Sequence, residues 1–222
     1  MATILCLETA TRACSVAVCT DGRVRAERTH VEEGRHAHAE RLHPMVAEVL
    51  REAGIAPTGL DAIAVGIGPG SYTGLRIGLS AAKGFAFALD IPIVGLGTLD
   101  ILSNALREGS GPFSGADRLH PMIDARRMEV FTGPPVHAAI LDDRWVAALD
   151  PGVRHVVFGD GADKASHLWT ERANVLHVEG MRPQARSMAM LAHQRVAARA
   201  FDAVAYLVPH YGKEAHLTRP RP

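Results

Sequence analysis

Hydrophobic residues in this chain cluster in short runs whose spacing changes along the sequence. "TILCLET" (3–9) and "ACSVAVCT" (13–20) are apolar, β-rich runs and predict two strands. The second run meets Asp21-Gly22, a strong two-residue hairpin signal, and "RVRAERTH" after it alternates apolar and polar positions. The chain is therefore expected to open as a three-stranded antiparallel meander. The period then lengthens. Leu42, Met45, Val46, Val49, Leu50 and Ala53 follow the i, i+3, i+4, i+7 spacing of a helix stripe, and Gly54 stands where a C-terminal cap belongs. Pro44 falls inside this pattern and should start the regular helix or kink it. "DAIAVGIG" and "PIVGL" read as buried strands, and "TLDILSNALRE" as a helix with Thr98 at its N-cap.

Between those two strands runs "GIGPGSYTGLRIGLSAAKGFAFALD" (66–90), a glycine-rich turn leading into a helix. Leu75, Leu79, Ala82, Ala86 and Leu89 form one apolar stripe of that helix, and Ile77, Gly78, Ala81, Phe85 and Ala88 keep the other side apolar or small. A helix apolar all round has to be covered on both faces. Gly74, Gly78, Ala81 and Ala88 permit close approach of another backbone. The cover could come from the preceding helix, a second copy or a different protein.

Residues 109–117, "GSGPFSGAD", form a glycine, serine and proline linker, so two units are expected, 1–108 and 109–222. Beyond the linker, "LHPMIDARRMEVFTG", "VHAAILD" turning at Asp142-Asp143 towards "WVAAL", "HVVFGDGADK" and "NVLHVEG" predict strands. A helix over about 184–199 and a last strand-like "AVAYLV" follow. Strands and helices alternate in both halves, an α/β pattern. The opening hairpins depart from the βαβ rhythm of a Rossmann domain.

Composition narrows the classes. The chain has 222 residues, 47% of them hydrophobic, and 24 basic residues balance 24 acidic ones. Nucleic-acid binding by the chain alone needs a clustered cationic excess, and only the terminal "RPRP" is locally basic. No run approaches the ~20 apolar residues of a membrane span, and the early glutamate argues against a secretory signal. Cys6, Cys14 and Cys19 read as free thiols in buried strands, in keeping with a reducing cytoplasm. Twelve histidines raise the question of a metal. His36 and His38 project to different sides of a helix, and His38 to His43 is not the i, i+4 spacing of a metal face. Asp124, Arg126, Arg127 and Glu129 form the densest charged group and are expected on an exposed, salt-bridged strand edge.

The glycine loop falls short of known phosphate motifs. A P-loop requires lysine and a hydroxyl residue where Leu75 and Arg76 stand. The dinucleotide pattern comes close in Gly68-Pro69-Gly70-Ser71-Tyr72-Thr73-Gly74, but its last glycine is one residue late and no acidic partner follows. Ser71 does not sit in a G-x-S-x-G frame. The glycines are expected to allow a tight turn and press the helix start against the sheet.

Several motifs, in order and spacing, resemble the bacterial TsaB (YeaZ) family. These are "ILCLETATRACSVAV", "HAERLHPMVAEVLREAGI", "LDAIAVGIGPGSYTGLRIGLSAAKGFAFALDIPIVGLGTLDIL" and "IDARRMEVF". "GPGSYTGLRIGLSAAKG" is the most specific element, and "GDGA" (159–162) and "AYLVPHY" are fainter echoes. The resemblance implies the two-lobed actin-like, heat-shock-chaperone and sugar-kinase fold (ribonuclease H-like), each lobe built on a mixed five-stranded sheet with helices. It implies an accessory protein that supports the related TsaD in placing threonylcarbamoyl on the adenosine 3′ of the anticodon in tRNAs reading ANN codons. TsaE is a further partner, TsaC-type enzymes supply the adenylate, and tRNA is met only through the complex. ATP and metal are expected on those partners, with no cofactor of the chain's own. The metal-binding histidine pair of TsaD relatives falls on Thr98 and Leu102 here, and "LETATRA" lacks the D-x-G phosphate pattern. Glu8 stands where the family usually has aspartate, and the hairpin after Asp124-Ala125-Arg126-Arg127 is expected to lack part of its usual length. The family pairs its first two helices with those of TsaD or of a second TsaB-like chain. That places an expected interface on His38, Leu42, Met45, Val46, Val49, Gly74, Ile77, Gly78, Ala81, Phe85 and Ala88.

Two other readings stand beside it. One is a small actin-like ATPase or kinase using "GPGSYTG" and "GDGA" as phosphate loops, with Gly68, Gly70, Ser71, Gly159 and Gly161 as its candidate contacts. The other is a peptidase, which the missing metal pair and nucleophile motif disfavour.

Overall fold

The computed structural model describes residues 1–31, 37–109 and 113–213. The opening meander forms as expected: β1 (Thr3–Glu8), β2 (Ala13–Thr20) and β3 (Arg23–Val31) pair antiparallel. Asp21 and Gly22 both take positive φ at the first turn, the conformation that Asp-Gly favours. Helix α1 (Ala37–Ala53) follows, with Pro44 inside it and not at its start. His36 lies outside the described residues. Strand β4 (Ala62–Gly68), helix α2 (Tyr72–Leu89), strand β5 (Ile93–Gly97) and helix α3 (Thr98–Glu108) complete a β3-β2-β1-β4-β5 sheet in which β1, β4 and β5 run parallel. Thr98 is the first helical residue of α3, and Gly97 takes the cap position expected of it.

Both faces of this sheet are covered, which explains the near-continuous apolar reading of β1, β2 and β4. Leu5, Leu7, Val16, Val18, Ile63 and Val65 point to the side of α1 and α2, where Leu42, Met45, Val46, Val49, Leu79 and Ala82 meet them. Ile4, Cys6, Ala17, Cys19, Ala62, Ala64 and Val94 point to the opposite side. There they pack against Ile101 of α3 and against Ala185, Met188, Ala189 and Ala192. The last four lie in a short 3-10 turn and helix α6 (Ala189–Ala197). The final helix of the expected unit 109–222 thus packs on the first sheet, covering its second face.

The second lobe differs from a single five-stranded sheet. Its strands form two three-stranded sheets. One is parallel: β6 (Arg118–Pro121), β10 (His155–Phe158) and β11 (Val175–Val178), in the order β11-β10-β6. The other is antiparallel: β7 (Ile123–Asp124), β8 (Glu129–Thr132) and β9 (His137–Ile140). Asp142-Asp143 opens helix α4 (Asp143–Ala147) where a hairpin was expected, because Asp142 Oδ1 accepts from Trp145 N at 2.9 Å and caps it. Helix α5 (Asp160–Asp163) follows β10.

"AVAYLV" forms no strand. Residues 201–213 cross the first lobe as an irregular segment. Asp202 N donates to Ile93 O at 2.9 Å, Gly95 N to Asp202 Oδ2 at 2.8 Å, and His210 N to Ile67 O at 2.7 Å. The segment then reaches the second lobe, where Lys213 pairs with Glu129 and lies over the Phe131 ring. The terminal "RPRP" lies outside the described residues.

Candidate functional site

The glycine loop between β4 and α2 is a backbone crossing point. Ser71 N donates to Ala10 O at 2.7 Å, and Ser71 Oγ caps α2 by accepting from Gly74 N. A Cβ on Gly70 would fall on Ala10 O, and one on Gly68 (φ +109°) on His210 O. Their lack of side chain admits the β1–β2 loop and the 201–213 segment. Gly159 (φ +104°) and Gly161 do the same in the second lobe, where a Cβ would strike Met122. The candidate phosphate contacts Gly68, Gly70, Gly159 and Gly161 are thus spoken for by the chain's own packing, and Ser71 by its cap.

Glu8 closes the end of β1. It is fully buried, Oε1 accepts from Ala10 N at 2.6 Å, and Oε2 has no hydrogen-bond partner among the described residues. Burial pushes its carboxyl up to about 7, opposed by the backbone donors. Thr98 and Leu102, which stand where TsaD relatives carry histidines, are also fully buried, and no metal-binding group of three or more side chains occurs among the described residues. Between the lobes lies a cavity of about 210 Å³, lined by Gly68, Pro69, Asp100, Arg107, Leu119 and Val136 among others.

The structure divides the residues of the expected interface by burial. His38, Leu42, Met45, Val46 and Val49 are buried within the chain, as are Gly74, Gly78 and Ala81. The small residues admit Thr9: a Cβ on Gly74 would fall on Thr9 O and one on Gly78 on Thr9 Oγ1, which donates to Gly74 O at 2.8 Å. Ile77 and Phe85 are half-buried against the same core, with His43 of α1 packed 5.8 Å from the Phe85 ring. Of the residues expected at the interface, Ala88 alone is exposed.

What α2 shows to solvent lies on a neighbouring arc. Tyr72, Thr73, Arg76, Ser80, Gly84, Phe87 and Ala88 are exposed, Phe87 at 84%. Arg76 is the single exposed charge among them, and its guanidinium leans on Tyr72, donating to the hydroxyl at 3.1 Å. Tyr72 in turn stacks on Tyr211 of the crossing segment at 4.7 Å, and Lys83 Nζ donates to Ala205 O at 3.2 Å. Tyr206 and Val208 extend the apolar surface along that segment. The helix is thus buried over more than half its circumference, and the exposed remainder, with Arg76 as its one charge, is centred on Thr73, Ser80, Gly84 and Phe87. The sequence held the signal: these residues stand opposite the Leu75–Leu79–Ala82–Ala86 stripe, whereas Gly74, Gly78, Ala81 and Phe85 flank it.

In the second lobe, "IDARRMEV" is a hairpin on β7 and β8 whose two acids are salt-bridged, as expected, but to lysines from other segments and not to its own arginines. Arg126 and Arg127 form its tip, Lys164 pairs with Asp124, and Lys213 with Glu129. Asp163 accepts from Arg182 at 2.6 Å and contacts His177 Nε2 at 3.1 Å. His120 Nε2 and His155 Nδ1 lie 2.9 Å apart, and burial holds His120 down to about 4.

A hairpin-first mixed sheet with helices on both faces, joined to a second α/β lobe, is the two-lobed actin-like architecture. A family model described as TsaD, tRNA N6-adenosine threonylcarbamoyltransferase, matches residues 29–157. The Escherichia coli tRNA threonylcarbamoyladenosine biosynthesis protein TsaB is 41% identical over 58% of this chain and 52% of its own length. The Haemophilus influenzae TsaB is 37% identical over 64% of this chain and 57% of its own. This chain therefore spans a little over half the length of those curated relatives. A solved Pseudomonas aeruginosa protein, described as uncharacterized with similarity to peptidase YeaZ, superposes with a TM-score of 0.79 at 31% identity, covering 96% of this chain and all of that one. The chain belongs to the TsaB/YeaZ family.

Proposed function

We propose that this chain is a non-catalytic subunit that docks on a TsaD-type transferase and supports threonylcarbamoyladenosine formation next to the anticodon of tRNAs reading ANN codons. The observation that carries this reading is the outward arc of α2. A surface helix of a free-standing protein is normally charged on its outer face. Here that face offers Thr73, Ser80, Gly84, Phe87 and Ala88, with Arg76 its single charge and open space above Gly84. Such a strip suits a partner helix laid close against it, with Phe87 as its anchor. The match to a family model described as TsaD supports a TsaD-type transferase as that partner. ATP and metal belong on the partner proteins in this reading, TsaE joins the assembly, and a second copy of the chain could use the same strip when the transferase is absent.

Co-elution of the full chain with its TsaD-type transferase tests the reading. Phe87→Glu and Gly84→Arg should each weaken the complex tenfold or more while leaving the fold intact. Undiminished association in both variants sinks the docking arc. ATP turnover by the chain alone would favour an actin-like ATPase instead.

A further inference from the structure

The turn between β7 and β8 carries two adjacent arginines in a conformation that suits neither. Arg126 has φ +70° and Arg127 φ +51°. Side chains other than those of asparagine, aspartate or glycine are strained in this region, and turns with two such residues favour Asn-Gly. The turn is nonetheless firmly fixed. Ala125 N donates to Glu129 O at 3.0 Å, Glu129 N to Arg126 O at 3.1 Å, and Arg126 N to Asp124 Oδ1 at 2.7 Å.

Both arginine side chains are exposed, and neither guanidinium has an ion pair or side-chain hydrogen bond among the described residues. The acids beside them are already engaged. Lys164 holds Asp124 and also donates to Glu129 O at 2.5 Å, and Lys213 holds Glu129. Among the described residues no carboxylate draws the arginines inward. The outcome is a rigid hairpin tip presenting two adjacent, uncompensated planar cations, at a local conformational cost that asparagine and glycine would avoid. Strain held at an exposed turn points to what the side chains do there.

We propose that this tip contacts an RNA phosphodiester backbone, with Arg126 and Arg127 donating to phosphate oxygens. The proposal rests on the reading above, in which the chain joins a tRNA-modifying assembly. The guanidinium fork matches phosphate geometry, and phosphate contacts fix register without reading bases. A chain with balanced charge has no broad attractive field, so any contribution to holding RNA has to come from a local cluster of this kind.

The test uses the full chain assembled with its transferase, and measures tRNA affinity across a salt series. Arg126→Gln with Arg127→Gln should lower affinity tenfold or more at low salt and reduce the slope of log affinity against log salt by about one to two, while complex formation is unchanged. Arg126→Gly with Arg127→Gly should lose the same affinity yet melt at a higher temperature, because the strain is gone. Arg126→Lys with Arg127→Lys should keep most of the salt slope. Unchanged affinity and slope in an intact assembly would overturn this proposal alone, as would cross-links from the tip to acidic protein surface in place of RNA. Failure of the wild-type chain to join the transferase would sink the docking reading and this proposal with it.

Discussion

Thr9 and Gly78 share one space: the Thr9 hydroxyl lies where a side chain on Gly78 would begin, and it donates to Gly74 O one turn earlier. This contact sets how deeply α2 seats against the end of β1. An alanine in a helix is normally worth about 1 kcal/mol over glycine. Here the clash should outweigh that gain. Gly74→Ala, which meets the Thr9 backbone, is expected to destabilise by about 2–3 kcal/mol in urea denaturation. Gly78→Ala should cost less, since Thr9 can rotate at the expense of its hydrogen bond. Combined with Thr9→Ala, its effect should be clearly less than additive.

Gly84 is the contrasting position. It is exposed in the middle of α2, and nothing lies within 4 Å of a Cβ built there. Gly84→Ala should therefore raise stability by about 0.5–1 kcal/mol. A fall in thermal stability would mean that the helix surface has been misread.

Glu8 makes stability depend on pH in a definite direction. Its folded-state value of about 7 lies above the ordinary 4.5, so the folded form retains a proton that the unfolded chain releases. Stability should fall as pH rises from 4.5 to 7 and level off above that, by on the order of 3 kcal/mol. His120, held down to about 4 from 6.5, acts in the opposite sense and removes stability as pH falls through that window. Comparing wild type with Glu8→Gln isolates the carboxylate. The variant's advantage should grow from pH 4.5 to 7 and then stay constant, and parallel curves would refute it.

Asp142 sets the start of α4 through its bond to Trp145 N. Asp142→Ala should cost about 1 kcal/mol in the second lobe. Asp142→Asn should recover most of it, as read by chemical denaturation.

Legibility in the sequence followed periodicity and failed where packing supplied the answer. The stripe through Leu42, Met45, Val46 and Val49 predicted α1, and Asp21-Gly22 predicted the first hairpin. Which face of α2 stays open was not readable from apolarity alone. Gly74 and Gly78 look like a docking groove until Thr9, some 65 residues earlier, occupies it. The tail misled in a different way. "AVAYLV" has strand composition, yet Asp202 and His210 reach β5 and β4 through isolated bonds and no ladder forms. At Asp142-Asp143 a turn signal and a cap signal use the same residue, and the capping contact with Trp145 decided between them.

The irregular run from Phe201 to Lys213 starts beside β5, passes Gly68 and ends on Phe131 across the cleft. Prising the halves apart means peeling that ribbon away, including the Tyr72–Tyr211 stack and the Lys213 pair. The cavity between the lobes is thus laced across by a segment anchored on both sides. Hinge opening would therefore cost each of those contacts at once, so the two halves are expected to move as one body.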